Sequence, residues 1–451
     1  MFIDRSHLLL NNPERLHYGV CVTDMDGDGE FEWLIAGFGD ANRAYKWTGQ
    51  HYDDIAPLAL ADKRRQAIGL AACDIDGDGR EEIYILNTDT FGGAKRFADR
   101  LFAFGDDWVD LYSLPHNQAA LNLTAGRSVV ALDRTGNGLY GFFVANYGGP
   151  MRLYELDDDG ILLDVAPQAG LNMVTGGRGL VALPIVSDRM DIFAGNEQGP
   201  NFLFRNEGDG TFSEIASKVG IGDPFEHVRG IAVLDTNGDG RFDLVYGNWE
   251  GPHRMFVQSS DGIWDDIAPP AMANPSRIRT VIAADFDNDG YEELFFNNIG
   301  EPNRLFAQRN GDWVPIDMGD AEEEDGLGTG AAIADLDGDG RLELLIAHGE
   351  SSPQPLSLYH TPKNSNHYLR VLPLTRYGAP ARGALVTLKT ASRTQQRAID
   401  AGSGYLCQME PVAHFGMGQE TVIESVTVRW PSGHVRQVDH PAPDQLLRIA
   451  Y

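Results

Sequence analysis

Apolar positions along the chain fall in short runs broken by Gly, Asp, Asn and Pro, and helical spacing is scarce. One phrase recurs: a run of small apolar residues, an acidic glycine loop, then a bulkier apolar run. It reads GVCVTDMDGDGEFEWLIAG from Gly19, GLAACDIDGDGREEIYIL from Gly69, GIAVLDTNGDGRFDLVYGN from Gly230, TVIAADFDNDGYEELFFNN from Thr280 and GAAIADLDGDGRLELLIAHG from Gly330. Two weaker copies, SVVALDRTGNGLYGFFVAN from Ser128 and GLVALPIVSDRMDIFAGN from Gly179, fill the gap between them. Short β-rich runs separated by turn residues read as strands.

Each copy continues through a turn into a third run, as in GNWEGPHRMF and NNIGEPNRLF, and closes with a fourth, as in WDDIAP and YDDIAP. Four strands in each of seven repeats is the mark of a β-propeller. The fold class expected is therefore all-β, a seven-bladed propeller followed by a small C-terminal β domain. Gly, Ala and Val dominate the first run, as crowding at a central axis requires, and the bulky aromatic residues come later. The seventh repeat stops at LSLYHTP without its fourth run, while Phe2 to Ser6 resembles that run. The N-terminus is thus expected to complete blade seven and cover its open edge. These boundaries place the propeller over residues 1–361 and the second domain over 362–451.

The acidic loops carry the first candidate chemistry. Calcium takes about six to eight hard oxygens, commonly from carboxylates spaced two apart in a loop that curls around the ion. Asp24, Asp26 and Asp28 supply that spacing, with Glu32 at the ninth position. The same pattern gives Asp74, Asp76, Asp78 and Glu82; Asp235, Asn237, Asp239 and Asp243; Asp285, Asp287, Asp289 and Glu293; and Asp335, Asp337, Asp339 and Glu343. An EF-hand needs a Glu at the twelfth position, where these loops have Ile35, Ile85, Tyr246, Phe296 and Ile346, so the helical version is rejected. Repeat three ends in Gly141 where the last acid belongs, and repeat four has a shortened loop with Pro184. The expectation is about five calcium ions (Ca2+), mainly structural, and none held firmly in repeats three and four.

Overall charge narrows the partners. Asp and Glu number 66 against 36 Lys and Arg, a formal charge of -30. A field of that sign repels phosphates, which excludes nucleic acid and anionic membrane as partners. No run approaches the roughly 20 apolar residues of a membrane helix. The start, MFIDRSHLLLNNPERL, lacks a charged segment followed by a sustained apolar one, so the sequence as it stands reads as soluble and cytoplasmic, without membrane insertion. Cys21, Cys73 and Cys407 have no zinc or disulfide spacing and are expected to be inert.

Three phrases near the C-terminus add a family signal: Gly402-Ser403-Gly404-Tyr405 followed by Gln408, then His414-Phe415-Gly416-Met417-Gly418, then Val428-Arg429-Trp430-Pro431-Ser432-Gly433. The stretch from Asn366 to Tyr451 is similar to the ASPIC/UnbV domain that ends the cartilage acidic protein family and its bacterial homologues. The repeats resemble the FG-GAP/VCBS repeats of α-integrin propellers. That resemblance implies calcium at the repeat aspartates, a structural role for the Gly402 turn, and export from the cell as the alternative location.

A second register is basic. Six residues before the loop start stand Arg127, Arg178, Arg229 and Arg279, while repeats one, two and seven have Tyr18, Ile68 and Thr329 there. Because this position opens the innermost strand, the four guanidiniums are expected in an arc at one mouth of the central channel, opposite the acidic loops. Arg offers a planar fork of donors suited to carboxylate or phosphate. The arc reads either as a site for an anionic ligand, with His227 beside it, or as staples to acids of neighbouring blades. No P-loop, dinucleotide fingerprint, nucleophile elbow or zinc helix is present. The function expected is a recognition or scaffold module for a protein or small anionic ligand. The rival is a lyase, isomerase or cyclase in which His227 or a rim carboxylate moves a proton.

Overall fold

The small residues that open each repeat stand at the centre of a ring in the computed structural model, which describes residues 1–451. Seven inner strands, His17–Thr23, Ala67–Cys73, Gly126–Leu132, Val174–Leu183, Val228–Leu234, Ile278–Ala284 and Gly328–Ala334, each pack against the next, and the last packs against the first. Each inner strand leads outward through an antiparallel sheet. In blade one the order is His17–Thr23, Glu32–Gly37, Arg43–Trp47 and Tyr52–Asp54. Crowding at the axis explains the glycines: a Cβ on Gly19 would stand 2.2 Å from the Leu406 carbonyl oxygen. Outer strands carry the bulk, with Trp33, Tyr45, Tyr84, Tyr154 and Phe193 all fully buried between blades.

The N-terminus joins the seventh sheet. Ile3 pairs with His360 and Asp4 with Tyr359, and the Phe2 ring packs edge-on against Phe286 at 4.9 Å. The last sheet thereby gains a fourth strand from the other end of the propeller. Blades three and four depart from the repeating plan. The strand Gly141–Pro150 runs on through Gly148 and Gly149 and pairs with Val174–Leu183, so the two sheets merge into one. Gly148 has φ +75°, a conformation that an L side chain resists, and it lets the strand bend across to its neighbour.

The C-terminal domain is two small sheets. His367–Pro373 lies between Ala413–Gly418, antiparallel, and Leu446–Ile449, parallel. The second sheet is ordered Thr394–Ala398, Leu385–Thr390, Ile423–Arg429 and Val435–Asp439. Leu369, Val386, Phe415, Val426 and Trp430 fill the space between them. Between the strands Thr394–Ala398 and Ala413–Gly418, residues 400–411 leave the domain and enter the ring. Ala131 N–H donates to Ala401 O (2.7 Å), Ile231 N–H to Gly404 O (2.7 Å) and Val22 N–H to Gln408 O (3.0 Å). Gln408 is wholly buried at the axis, accepting from Ala72 N–H (2.8 Å) and Cys21 Sγ (3.1 Å) and donating to Ala72 O (3.0 Å). Inner strands have no partner on their axial side, and this segment supplies one to several of them at once. All three cysteines are buried thiols.

Candidate cation loops and the arginine-lined mouth

Each acidic loop follows the inner end of a blade and is shaped by its own first aspartate. Asp74 accepts N–H bonds from Gly77 (2.6 Å) and Gly79 (3.1 Å), both at positive φ, and this turns the remaining carboxylates inward. Four groups of carboxylate oxygens gather within 4.8 Å: Asp24 and Asp26 with Glu32; Asp74, Asp76 and Asp78; Asp285, Asp287 and Asp289; and Asp335, Asp337 and Asp339. The ninth-position Glu lies beneath, one oxygen fixed by a backbone N–H, as Glu293 is by Phe286 (3.0 Å). Its other oxygen is the telling atom. Glu293 Oε1 and Glu343 Oε1, with Asp285 Oδ1 and Asp335 Oδ1, are buried and accept no hydrogen bond, and Glu32 Oε1 has only the Lys46 ammonium at 3.3 Å. Leaving several such oxygens unsatisfied is costly, and a hard divalent cation is the partner their chemistry suits.

The electrostatics agree. Burial above all, with neighbouring carboxylates adding to it, pushes Asp74 up to about 7, Glu82 up to about 9, Asp285 up to about 8 and Glu293 up to about 10. Groups so placed resist ionisation unless a positive charge joins them.

The loop of blade five is built differently from these four. Asp243 is one methylene shorter than Glu and spends both oxygens on the protein: Oδ2 on Thr236 N–H (3.0 Å) and its hydroxyl, Oδ1 on Gln258 N–H (2.9 Å). Asp235, Asn237 and Asp239 remain, with Arg241 paired to Asp239, so no third carboxylate joins that group. In blades three and four the carboxylates themselves are fewer: Thr135, Asn137 and Gly141 stand at the acid positions of blade three, and the shortened loop of blade four keeps Asp188 and Asp191. Asp133 accepts from Gly136 (2.7 Å), Asn137 (3.1 Å) and Gly138 (2.8 Å), and Asp191 Oδ2 from Ile185 (3.0 Å), Val186 (2.8 Å) and Ser187 (2.8 Å).

Two side chains not singled out from the sequence complete the loops. In blade seven His360 Nε2 lies 3.8 Å from Glu343 Oε1 and joins Asp337 in a further cluster. In blade one the Lys46 ammonium sits 2.5 Å from Asp26, 2.6 Å from Asp28 and 3.3 Å from Glu32. It is a tethered cation at the spot where a calcium ion would compete with it. Lys46→Ala is therefore expected to tighten calcium binding at the first loop by roughly tenfold, about 1.4 kcal/mol, measured by calorimetric titration; weaker binding would contradict this.

The C-terminal domain docks on these same loops. Gly416 N–H donates to Asp285 Oδ2 (3.0 Å), His414 Nε2 meets Asn288 Oδ1 (2.6 Å), Arg370 Nη1 lies 2.9 Å from Asp335 Oδ2 and Arg448 Nη2 donates to Gly29 O (2.6 Å). The His414–Gly418 phrase is thus the face laid against blade six.

At the other end of the inner strands, about 20 Å away along seven residues, the four arginines come together. They line a cavity of about 520 Å³ whose floor is Tyr405, carried there by the inserted segment. Glu197 accepts from Arg178 Nε (2.7 Å) and Arg229 Nη2 (2.8 Å), and Glu350 pairs with Arg279. Arg127 has no carboxylate. Its Nη2 donates to the carbonyls of Thr90 (3.3 Å) and Phe91, and its Nε is buried without a partner. Aromatic rings hold the guanidiniums flat: Phe91 lies 5.2 Å from Arg127 and from Arg178, and Trp249 lies 4.2 Å from Arg279 and 5.6 Å from Arg229. Burial would raise the Tyr405 phenol, but the surrounding Arg178, Arg279, Arg229 and Arg127 outweigh it and hold it below its ordinary value. His227 does not face this cavity. Its Nδ1 meets the Glu197 carbonyl, and the ring is not part of the lining.

Family models match along the chain. The FG-GAP-like repeat matches residues 24–85, 187–246, 235–296 and 285–346, and the ASPIC and UnbV model matches residues 375–451. The chain is 47% identical to cartilage acidic protein 1 of Xenopus tropicalis, over 98% of this chain and 74% of that protein. It is 47% identical to the Homo sapiens protein of the same name, over 98% of this chain and 73% of that one. Among solved structures, the BP39L lectin from Burkholderia pseudomallei is similar in fold, with TM-score 0.52 and 13% identity over 78% of this chain and 99% of that one. The cytoplasmic expectation finds no support among the relatives, whose name ties them to cartilage.

Proposed function

We propose, from the premise that this chain belongs to the cartilage acidic protein family, that it is a calcium-stiffened recognition module whose arginine-lined mouth takes an anionic ligand. The observation that carries the reading is the convergence of Arg127, Arg178, Arg229 and Arg279 around one cavity in a chain of net charge -30. Four guanidiniums held flat against aromatic rings form a fixed donor array, and such an array loses little entropy when a ligand arrives. Calcium belongs to the opposite face, at Asp24, Asp74, Asp285 and Asp335 and their partners, where it stiffens the hairpins and the docking surface of the C-terminal domain. Extracellular calcium modules bind on the order of 10⁻⁴ to 10⁻³ M, so these loops suit a protein working outside the cell.

Recognition is preferred to catalysis because the acids of the mouth are already engaged. Asp89 pairs with Arg96, Glu197 with two arginines and Glu350 with Arg279, and His227 is not part of the lining. The test is a melting-shift screen of inorganic anions and acidic peptides in the presence of calcium. A saturable shift that Arg229→Ala weakens by at least roughly tenfold is expected. If no anion moves the wild-type transition, the reading fails.

A further inference from the structure

The mouth is a composite of the two domains. Its walls come from all seven blades, but Tyr405 comes from the C-terminal domain through the segment threaded along the axis. That residue is placed with some care by the fold. Gly402, at φ +132°, passes so close to Val130 that an added Cβ would stand 2.4 Å from Val130 Cγ1, and Gly404 is fixed in both directions to Ile231. Gln408, four residues past Gly404, is fully hydrogen-bonded at the axis. Between these anchors the Tyr405 side chain is 5% exposed, yet its hydroxyl has only one neighbour near bonding distance, Arg178 Nη1 at 3.5 Å. A phenol held this firmly and bonded this weakly is a donor kept in reserve.

The free fork of Arg127 narrows the class of ligand. In the cavity wall Glu197 is shared by Arg178 and Arg229 and Glu350 pairs with Arg279, while Asp89 is taken by Arg96 from outside the four. Arg127 is the one arginine of the four without a carboxylate, and its Nε is buried and unpartnered. Its planar fork, beside the Phe91 ring at 5.2 Å and with Trp249 farther round the same wall, is complementary to a flat carboxylate with an apolar body.

We infer that the mouth binds a small monocarboxylate, its oxygens received by Arg127 and the neighbouring guanidiniums, with the Tyr405 hydroxyl donating the closing hydrogen bond. The inference rests on the anion-binding reading and names the ligand class and the residue the second domain contributes. It gives the C-terminal domain a part in recognition as well as in packing. Tyr405 is the only one of these groups whose chemistry depends on the segment being seated, so ligand binding reports on the docking of the two domains.

The experiment is calorimetric titration of the calcium-loaded full chain with benzoate and, separately, with inorganic phosphate. Benzoate is expected to bind, Arg127→Gln to lose that binding, and Tyr405→Phe to weaken it by roughly tenfold or more while leaving the calcium-loaded melting temperature in place. Tyr405→Phe keeps the ring that fills the floor, so it separates the hydroxyl from the packing. Phosphate binding without benzoate binding would overturn the monocarboxylate assignment and leave the anion-binding reading standing. Benzoate binding untouched in Tyr405→Phe would overturn the role of the hydroxyl. The absence of either anion from wild-type protein, with no response to Arg229→Ala, would remove both.

Discussion

Chelation of divalent cations is expected to lower the melting temperature sharply, and more so as the pH rises. At a hundredfold excess over Kd a bound ion adds about 2.7 kcal/mol to folding stability, so four independent loops together contribute on the order of 10 kcal/mol. That sum is comparable with the whole stability of many domains. The pH dependence follows from the direction in which the carboxylates are shifted. Without a counter-ion, burial pushes Glu82 up to about 9 and Glu293 up to about 10, above their values in the unfolded chain. The folded state then binds more protons than the unfolded state. Its stability is complete below the unfolded carboxylate range and is lost as pH rises toward those folded values. With calcium the slope reverses, because protons compete with the ion for the same oxygens and stability falls on acidification. Calorimetric melts from pH 5 to 9, with chelator and with millimolar calcium, separate the two. Identical curves, or a chelated protein that gains stability toward pH 9, would refute the assignment of the loops.

Local chemistry was readable from the sequence where the function of a group depends on its neighbours in the chain. The spacing of Asp74, Asp76 and Asp78 with glycines between them decides the loop, and the loop folds as that spacing implies. The arginine register was equally legible, because residues at one position of successive inner strands must share one end of the ring. What the sequence does not reveal is whatever depends on a single methylene or on distant insertion. Asp243 and Glu293 look equivalent in an alignment of the repeats, yet the shorter side chain is drawn onto Thr236 and Gln258 while the longer leaves an oxygen free. Lys46 and His360 belong to third strands, and only antiparallel pairing brings them over the acids of the second. Tyr405 was visible only as part of a family phrase. Its position in the mouth follows from a segment that crosses the ring and bonds to strands more than a hundred residues earlier in the chain.

A buried ion pair ties the C-terminal domain to blade two, and breaking it is expected to have the second largest effect. Arg382 of the C-terminal domain is completely buried, with Nε 2.5 Å from Glu81 Oε1 and Nη2 donating to Glu81 Oε2 (3.0 Å) and Val22 O (3.0 Å). Its Nη1 donates to Asp400 O (2.9 Å) and Met409 O (3.3 Å), the two ends of the segment that carries Tyr405. Thr23 Oγ1 completes the shell of Glu81 at 2.9 Å. Arg382→Met leaves the Glu81 charge without its partner in the interior, which costs about 3–5 kcal/mol. The same substitution frees both carbonyls that hold the inserted segment, so the axial hydrogen bonds of Gln408 and the seat of Tyr405 loosen with it. Adding Glu81→Leu removes the stranded charge and is expected to return much of the stability, because an apolar pair of similar volume is often as stable as a buried ion pair. It does not restore the grip on Asp400 and Met409. The double variant should therefore regain its denaturation midpoint while cleavage between residues 400 and 411 by an added protease stays faster than in wild type. A double variant that recovers protease resistance along with stability would mean that the segment is held by the rest of its axial bonds, and that Arg382 serves Glu81 alone.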